Sequence, residues 1–573
     1  MNPDRLLKHF EQISEAPDAI PRLRRFILDL AVRGKLVEQN PEDEPASELL
    51  KRIEVERIQL VDTRDLRNQK EQPFDEEQFP FTIPACWRWS RLAQIGIINP
   101  KNYTEDSIKA SFVPMPMIFA GYGQPNQHEV KLWAEIKKGF THFAEGDVGL
   151  AKITPCFENG KSTVFRNLTG GIGAGTTELH IVRPILVAAD YILIFLKSPF
   201  FINTGIPKMT GTAGQKRIPR DYFALFPFPL PPLAEQHRIV AKVDELMALC
   251  DELEAAQAKR ERRRDRLVAA TLHSLNNGYA NTEPGNHLTF EENARFYFNH
   301  FPRLITRPEH IQQLRQTILN LALRGKLVHQ DPNDEPASEL LNRIEKERAR
   351  MVKKNEIRKQ ELLLITNDGV PVDLPKGWVW CRLQDIFLAI TDGDHQPPPK
   401  AEEGIPFLVI GNMRNRTIDF SNCRYVPETY YTGLDTIRRP QKGDILFTLV
   451  GSYGIPVRIP DSRPFCVQRH IGILRPSKQV DTGYITNALR SRFVFEQATT
   501  CATGIAQKTV SLTGLRKILI PFPPLAEQHR IAAKVDELMA LCDELEAGLI
   551  TTASSCRQLL EATLYGAISV GNL

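Results

Sequence analysis

Few residues of this chain have the types and spacing that catalysis demands. Residues 155–162 read PCFENGKS and end as a phosphate-binding loop ends, with Gly160, Lys161 and Ser162 in order. Such a loop cradles phosphate with consecutive backbone N–H groups, and Pro155 replaces the first glycine and removes one of them. Glu135 and Lys137 are spaced as in a nuclease triplet, but no Pro-Asp partner lies nearby, so they read as a solvated face. The Asp/Asn-Pro-Pro-Tyr/Phe motif with which amino-methyltransferases hold a flipped base does not occur in the 573 residues. The nine cysteines show no CxxC and no Cys/His spacing suited to zinc. Cys250 and Cys542 fall inside apolar helical patterns and read as small buried hydrophobes. What remains is binding chemistry: cations, amides and loops.

The elements that must position those groups come twice. Residues 231–255 and 523–547 share PPLAEQHRI and AKVDELMALCDELEA and differ at one position of 25, Val240 against Ala532. Residues 20–57 and 311–348 are identical at 27 of 38 positions. Each copy of this earlier block predicts two helices. The first, with Leu23, Ile27, Leu30 and Ala31, stops at Gly34; the second starts near Pro45 and carries Leu49, Leu50 and Ile53 on one face. PACWRWSRL (84–92) and PKGWVWCRL (375–383) lead into residues 93–228 and 384–520, which are rich in glycine, proline and short β-branched runs. The paired tryptophans Trp87/Trp89 and Trp378/Trp380 read as anchors of these domains. Each domain leaves through a proline-rich segment into a long helix. There Ile239, Val243, Leu246, Cys250 and Leu253, and Ile531, Val535, Leu538, Cys542 and Leu545, are spaced as a coiled-coil seam. Two such halves can be related by an approximate twofold axis, which suits a two-part DNA site.

The composition is that of an ordinary globular protein, 42% hydrophobic and 25% charged. The longest apolar run, 191–196, is far too short to span a bilayer. The charged N-terminus lacks a signal-peptide core, so a cytoplasmic location is expected. A net charge of +4 is mild, so any field that attracts nucleic acid must be local or shared with partners.

Over essentially its full length the chain resembles the specificity subunits of type I restriction–modification enzymes. The resemblance rests on the duplicated PPLAEQHRI block running into AKVDELM and on the paired Pro-x-x-Trp-x-Trp-x-x-Leu lead-ins. It rests also on TDGDHQPPP (391–399), GIPFLVIGNM (404–413) and KGDILFTLVGSYG (442–454), with the looser EGDVGLAKITPCFENGK (145–161) in the first half. The family implies an α+β fold: two mixed, β-rich target-recognition domains joined by long antiparallel coiled-coil helices, with a pseudo-twofold internal repeat. The expected divisions are 1–80 and 281–370 for the helical repeats, 81–230 and 371–522 for the recognition domains, and 231–280 and 523–573 for the long helices. The resemblance also implies a subunit without catalysis or cofactor of its own, which directs others to double-stranded DNA. Each recognition domain would read one half of an asymmetric site. Two methyltransferase subunits would bring S-adenosylmethionine and methylate adenine, and two restriction subunits would use ATP and Mg2+. No membrane would be involved, and the location would be a bacterial or archaeal cytoplasm, nucleoid-associated through DNA. Two rivals stand beside this reading. A self-contained restriction–methylation enzyme lacks its motif here, and an adaptor would bind proteins through its divergent domains.

DNA reading needs phosphate contacts from cations and base contacts from bidentate Arg, Asn and Gln. In the second domain the candidates are His395, Gln396, Asn412, Arg414, Asn415, Arg416, Ser452, Tyr453, Gln468, Arg469, His470 and Lys508. In the first they are Lys101, Asn102, Tyr103, Lys152, Asn159, Lys161, Arg166, Lys208, Lys216 and Arg217. Lys216 and Lys508 match in place, which points to a shared backbone contact. Asp392 and Asp394 read as shaping a turn around Gly393. Glu235, His237, Arg238 and Lys242, with Glu527, His529, Arg530 and Lys534, are expected on the outer face of the long helices to dock the methyltransferase subunits. The run 259–266 is a basic helix face, with spacer DNA as its functional alternative.

Overall fold

The structure, a computed structural model of the full chain, describes residues 16, 18–62, 79–212, 214–277, 290–357, 365, 373–395, 398–414, 417–504 and 507–569. Two compact units divide the chain: Met1–Glu261 with Thr552–Leu573, and Arg262–Thr551.

In the first unit, α1 (Ala19–Val32) puts Leu23, Phe26, Ile27, Leu30 and Ala31 on one face. It ends as the sequence requires. Gly34 takes φ +67, its N–H meets the Ala31 carbonyl, and the Lys35 N–H reaches back to Leu30 O at 3.0 Å. A Cβ on Gly34 would also lie 2.5 Å from Pro84, so this glycine both turns the chain and admits the Pro-x-x-Trp segment. α2 (Ala46–Asp62) buries Leu49 and Ile53, with Leu50 half-buried. A ribbon of β1 (Arg88–Arg91) on β10 (Pro227–Leu230) closes the intervening domain. Inside it, β2 (Gly96–Ile98), β6 (Val148–Ala151), β7 (Ser162–Val164) and β9 (Leu179–Pro184) form an antiparallel sheet of order β2-β9-β6-β7. A second sheet has the order β4-β3-β8-β5, from β3 (Lys109–Val113), β4 (Glu129–Leu132), β5 (Thr141–Ala144) and β8 (Ile172–Gly175). The apolar helix α3 (Ala189–Lys197) lies in the same core as α1, α2 and Trp87.

α4 (Leu233–Asn277) then runs for 45 residues, about 70 Å at 1.5 Å per residue. Its inward face is Ile239, Val243, Met247 and Cys250, whereas Leu246 is half-buried and Leu253 is exposed. The heptad expectation therefore holds for two turns and then shifts register. A face that packs into its own unit's core follows the 3.6-residue period, not the 3.5 of a supercoil.

The second unit repeats the plan with α5 (Pro308–Leu323), α6 (Ala337–Lys353), and a ribbon of β11 (Val379–Arg382) on β23 (Leu519–Phe522). Its main sheet has the order β12-β20-β17-β18, from β12 (Phe387–Asp392), β17 (Ile445–Thr448), β18 (Pro456–Arg458) and β20 (Ile471–Pro476). Beside it lie a sheet of β13 (Ile405–Leu408), β16 (Arg424–Val426) and β19 (Cys466–Val467), the ribbon of β14 (Met413–Arg414) and β15 (Thr417–Ile418), and the ribbon of β21 (Ala502–Thr503) and β22 (Thr509–Val510). α7 (Thr482–Leu489) takes the place of α3, and α8 (Leu525–Ser569) is again 45 residues long. The fold class is α+β, as expected.

The repeated motifs recur bond for bond. Trp87 Nε1 donates to Glu235 at 2.9 Å, and Trp378 Nε1 to Glu527 at 2.8 Å. The Gln236 and Gln528 amides each bond a proline carbonyl five residues back, at 2.9 Å, and accept from the chain ahead of α3 or α7. Tyr191 and Tyr484 donate to the carbonyls of Pro229 and Pro521. Arg238 pairs with Asp43 and Arg530 with Asp334. Arg24 reaches Asp251 and Glu254, as Arg315 reaches Asp543 and Glu546. Among the described residues no helix is long and apolar enough to cross a membrane.

Candidate nucleic-acid interface

Antiparallel order gathers loops at one end of each main sheet. In the second domain the C-terminal ends of β12 and β17 and the N-terminal end of β20 coincide, with Asp392 opposite Gly472 and Thr448 opposite Ile471. The ribbon β21–β22 docks on the loop after β17: Val510 N–H donates to Leu449 O, and Gly451 N–H donates to Lys508 O at 3.0 Å. The Leu449 N–H in turn donates to His470 O at 2.9 Å. His395, Ser452, Gln468, Arg469, His470 and Lys508 are thereby brought together.

Of these, His395, Ser452, Arg469 and Lys508 are exposed, and Gln468 and His470 are half-buried. Burial, with Arg469 beside it, holds His470 below the usual histidine value. His395 lies 3.1 Å from Asp392. Gly393 leaves no room for a side chain, since a Cβ there would lie 2.0 Å from Val467 O, and Asp394 bonds His395 N–H and Tyr430, so the acids shape a turn as expected. Tyr453 stacks on Phe495 at 5.5 Å and donates to Thr499, which fixes the loop. Arg414 is exposed on the β14–β15 ribbon, with Nε bonded to Gly411 O. Gln396, Asn415 and Arg416 lie outside the described residues. Asn412 is a correction. It is buried, its Nδ2 donates to Asp419 O and its Oδ1 accepts from Val409 N–H, so both ends of the amide are occupied by a turn.

The first domain has the same end with other side chains. Ala151 lies opposite Leu179, Ile218 N–H donates to Lys152 O, and Thr154 N–H donates to Lys216 O at 2.9 Å. Lys152 N–H donates to Glu178 O at 2.9 Å. Lys152, Lys216 and Arg217 meet here, beside Lys208, which precedes the Thr210–Arg217 backbone pair by two residues. Lys208 and Lys216 are exposed. Arg217 is clamped on Glu178 through Nε and a terminal nitrogen at 2.9 and 2.8 Å, and the guanidinium pulls that carboxyl below its ordinary value. Exposed Asn159 and half-buried Lys161 close the loop between β6 and β7, with the Lys161 ammonium on Met115 O. The N–H groups of Phe157, Asn159, Gly160 and Lys161 all bond carbonyls within this loop, so it has no free phosphate cradle.

Two expectations fail by position. Arg166 follows β7, at the opposite end of the sheet, and pairs with Asp190 at 2.5 Å. Asn102 is tied inward: its amide donates to Phe143 O and accepts from Arg183. Its neighbours Lys101 and Tyr103 remain exposed, Tyr103 at 84%.

Residues 375–553 match the family described as the type I restriction modification DNA specificity domain. The EcoAI specificity subunit of Escherichia coli is 38% identical over 561 residues, which cover 96% of this chain and 94% of that one. The EcoEI specificity subunit of the same species is 39% identical over 566 residues, at the same coverage. The chain belongs to the type I restriction enzyme specificity subunits. Its fold is shared with a solved chain from a type I R-M system, described as the structural basis of complex assembly and conformational transition. The two are 19% identical with TM-score 0.51, over 85% of this chain and 99% of that one. In this specificity subunit the family match begins at the second lead-in; the first domain, with its looser motifs, lies outside it.

On the long helices of the subunit the structure corrects the expected outer face. Glu235 and Glu527 point inward, 0% and 2% exposed, because each accepts the indole N–H of its domain's anchoring tryptophan. Burial raises both carboxyls, against the opposing pull of those hydrogen bonds. Arg238 and Arg530 are strapped to Asp43 and Asp334. His237, His529, Lys242 and Lys534 do face out: both histidines are exposed, and each lysine pairs along its own helix with Glu245 or Glu537. Sequence reasoning missed the pairs of buried Asp147 and Asp444 with half-buried Arg183 and Arg475 at the other end of each main sheet. Gly-Asp ahead of the central strand and Arg-Pro at the end of its neighbour, present in both halves, was the available signal.

Proposed function

We propose that this subunit reads an asymmetric two-part DNA site, one half with each domain, through the loop ends of the two main sheets. One observation carries this reading: a single set of backbone bonds presents different side chains in the two domains. Glu178 and Arg217 in the first stand where His470 and Thr509 stand in the second. A shared backbone with exchanged side chains is what two readers of different half-sites need. The domains span 81–230 and 371–522, and catalysis is supplied from outside. Two methyltransferase subunits, carrying S-adenosylmethionine, dock equivalently on the long helices, and restriction subunits bring ATP and Mg2+. Support for equivalent docking comes from surfaces that repeat in both helices: His237, Lys242, Leu249 and Leu253 against His529, Lys534, Leu541 and Leu545, with all four leucines exposed.

The test is a genome-wide map of methylated adenine with and without the gene. Loss of one asymmetric bipartite motif on deletion is the expected result, and exchange of residues 93–228 then changes only one half of it. An unchanged methylome in a host that expresses the methyltransferase subunits would refute the reading.

A further inference from the structure

Between the two recognition domains in chain order, α4 carries an unpaired basic stripe. Lys259, Arg262, Arg263 and Arg266 have the spacing i, i+3, i+4, i+7, which places them on one helix face over about 10 Å of axis. All four are exposed, and among the described residues none makes an ion pair or side-chain hydrogen bond. The other charges of this stretch are engaged. Arg260 approaches Glu261, Arg264 donates to Thr306, and Asp265 takes Arg307 and His310.

The duplicate helix supplies the control. α8 matches α4 closely only as far as Ala255 and Ala547; beyond that block the counterparts of the four cations are Thr551, Ser554, Ser555 and Gln558, all exposed and all neutral. A stripe that served only solubility would suit both helices. The two helices part company after Ala255 and Ala547, and only the first of them carries the charge. The same face runs on through Ala255, Ala256 and Ala270, with exposed Leu267 at its edge, and it carries no aromatic anchor of the kind that dominates protein interfaces. A polyanion needs none.

We infer that this stripe binds the phosphates of the DNA between the two half-sites, an inference that rests on the bipartite reading above. About six phosphate charges lie along about 10 Å of duplex axis, enough to meet four cations. The contact carries no base information and adds affinity without altering the motif.

The experiment uses the full complex with its methyltransferase subunits and a duplex bearing the mapped motif. Its spacer phosphates are either native or replaced by neutral methylphosphonates. With the native duplex, the variant Lys259→Gln/Arg262→Gln/Arg263→Gln/Arg266→Gln is expected to bind roughly tenfold to hundredfold more weakly, with a salt slope shallower by about 2–4. Its methylated motif is unchanged. The neutral spacer weakens the wild type by a similar factor and leaves the variant untouched, and an all-lysine version of the stripe restores affinity. A wild type indifferent to the neutral spacer overturns the inference. So does a variant that loses its methyltransferase subunits, which would mark the stripe as a protein contact. A wild type that ignores the motif even in native DNA instead overturns the bipartite reading itself.

Discussion

Arg217 and Thr509 occupy one place in two domains. Each follows a lysine whose carbonyl accepts a hydrogen bond from the loop after the central strand, and that loop also donates to the carbonyl of the residue just before the neighbouring strand. In the first domain that residue is Glu178, and Arg217 is folded onto it. In the second it is His470, flanked by exposed Arg469, and Thr509 makes no such clamp. The first domain thus presents a neutralised pair with Lys152 and Lys216 around it, while the second presents a cation and an imidazole with Lys508. The difference shows where this fold tolerates change. Backbone bonds hold the sheet end in place, so side chains there vary freely. The frame keeps the side chains that complete buried partners, such as the tryptophan–glutamate pairs and the Gln236 and Gln528 amides.

The largest test of this comparison strikes the frame. Trp87→Ala and Trp378→Ala each remove a buried indole and strand a buried glutamate, and each is expected to cost about 3–5 kcal/mol. Denaturant melts of the two variants should show equal losses; a large inequality would break the equivalence of the halves.

A pH series comes next. Burial against the core and Phe223 holds His180 neutral, down to about 4, while its counterpart opposite the central strand in the second domain is Gly472. The unfolded chain takes up the proton first, so the contribution is complete above about 6.5 and is lost as pH falls toward about 4, at most about 3 kcal/mol. Hydrogen exchange at pH 5 should therefore loosen the first domain before the second, and His180→Gln should abolish the difference.

The loop ends are the third target. Gln468→Ala or Arg469→Ala is expected to lower affinity by about 1–3 kcal/mol and to relax one half of the methylated motif. Lys216→Ala and Lys508→Ala should weaken binding evenly across sequences and reduce the salt slope by about 1 each. Methylome mapping and salt titrations separate the two outcomes.

The smallest effect lies in the buried glutamates. Their raised carboxyls bind protons more tightly in the folded chain, so stability falls as pH rises through the carboxylate range toward neutrality. Glu527 Oε1 has no hydrogen-bond partner among the described residues, whereas Glu235 Oε1 accepts from Gln39 at 2.7 Å. Glu527→Gln should therefore gain roughly 1 kcal/mol at neutral pH and flatten the pH dependence, while Glu235→Gln gains less, because its new amide confronts the Gln39 amide.

Much of the fold could be read in the residues. The helix ends at Gly34 and Gly325, the proline-rich exits and the long helices follow from local chemistry: a left-handed glycine, an absent N–H, a run of apolar residues at helical spacing. The candidate site was legible only in part. Gln468, Arg469, His470, Lys216 and Lys508 stood out as polar residues between strands, and the sheet end gathers them. Asn412, Asn102 and Arg166 stood out for the same reason, yet Asn412 is held inside a turn, Asn102 is bonded to Phe143 and Arg183, and Arg166 lies at the far end of the sheet. Residue type cannot distinguish these cases, because a buried amide and a reading amide carry the same groups.

From the sequence alone came the doubled frame, the two unlike inserts and the lack of a catalytic motif, since repetition and spacing need no coordinates. Only the tertiary structure turned Glu235 and Glu527 inward, set Arg217 on Glu178 and left the α4 stripe unpaired. Those outcomes depend on partners 148 and 149 residues away for the glutamates and 39 for Arg217, distances over which no local period carries information.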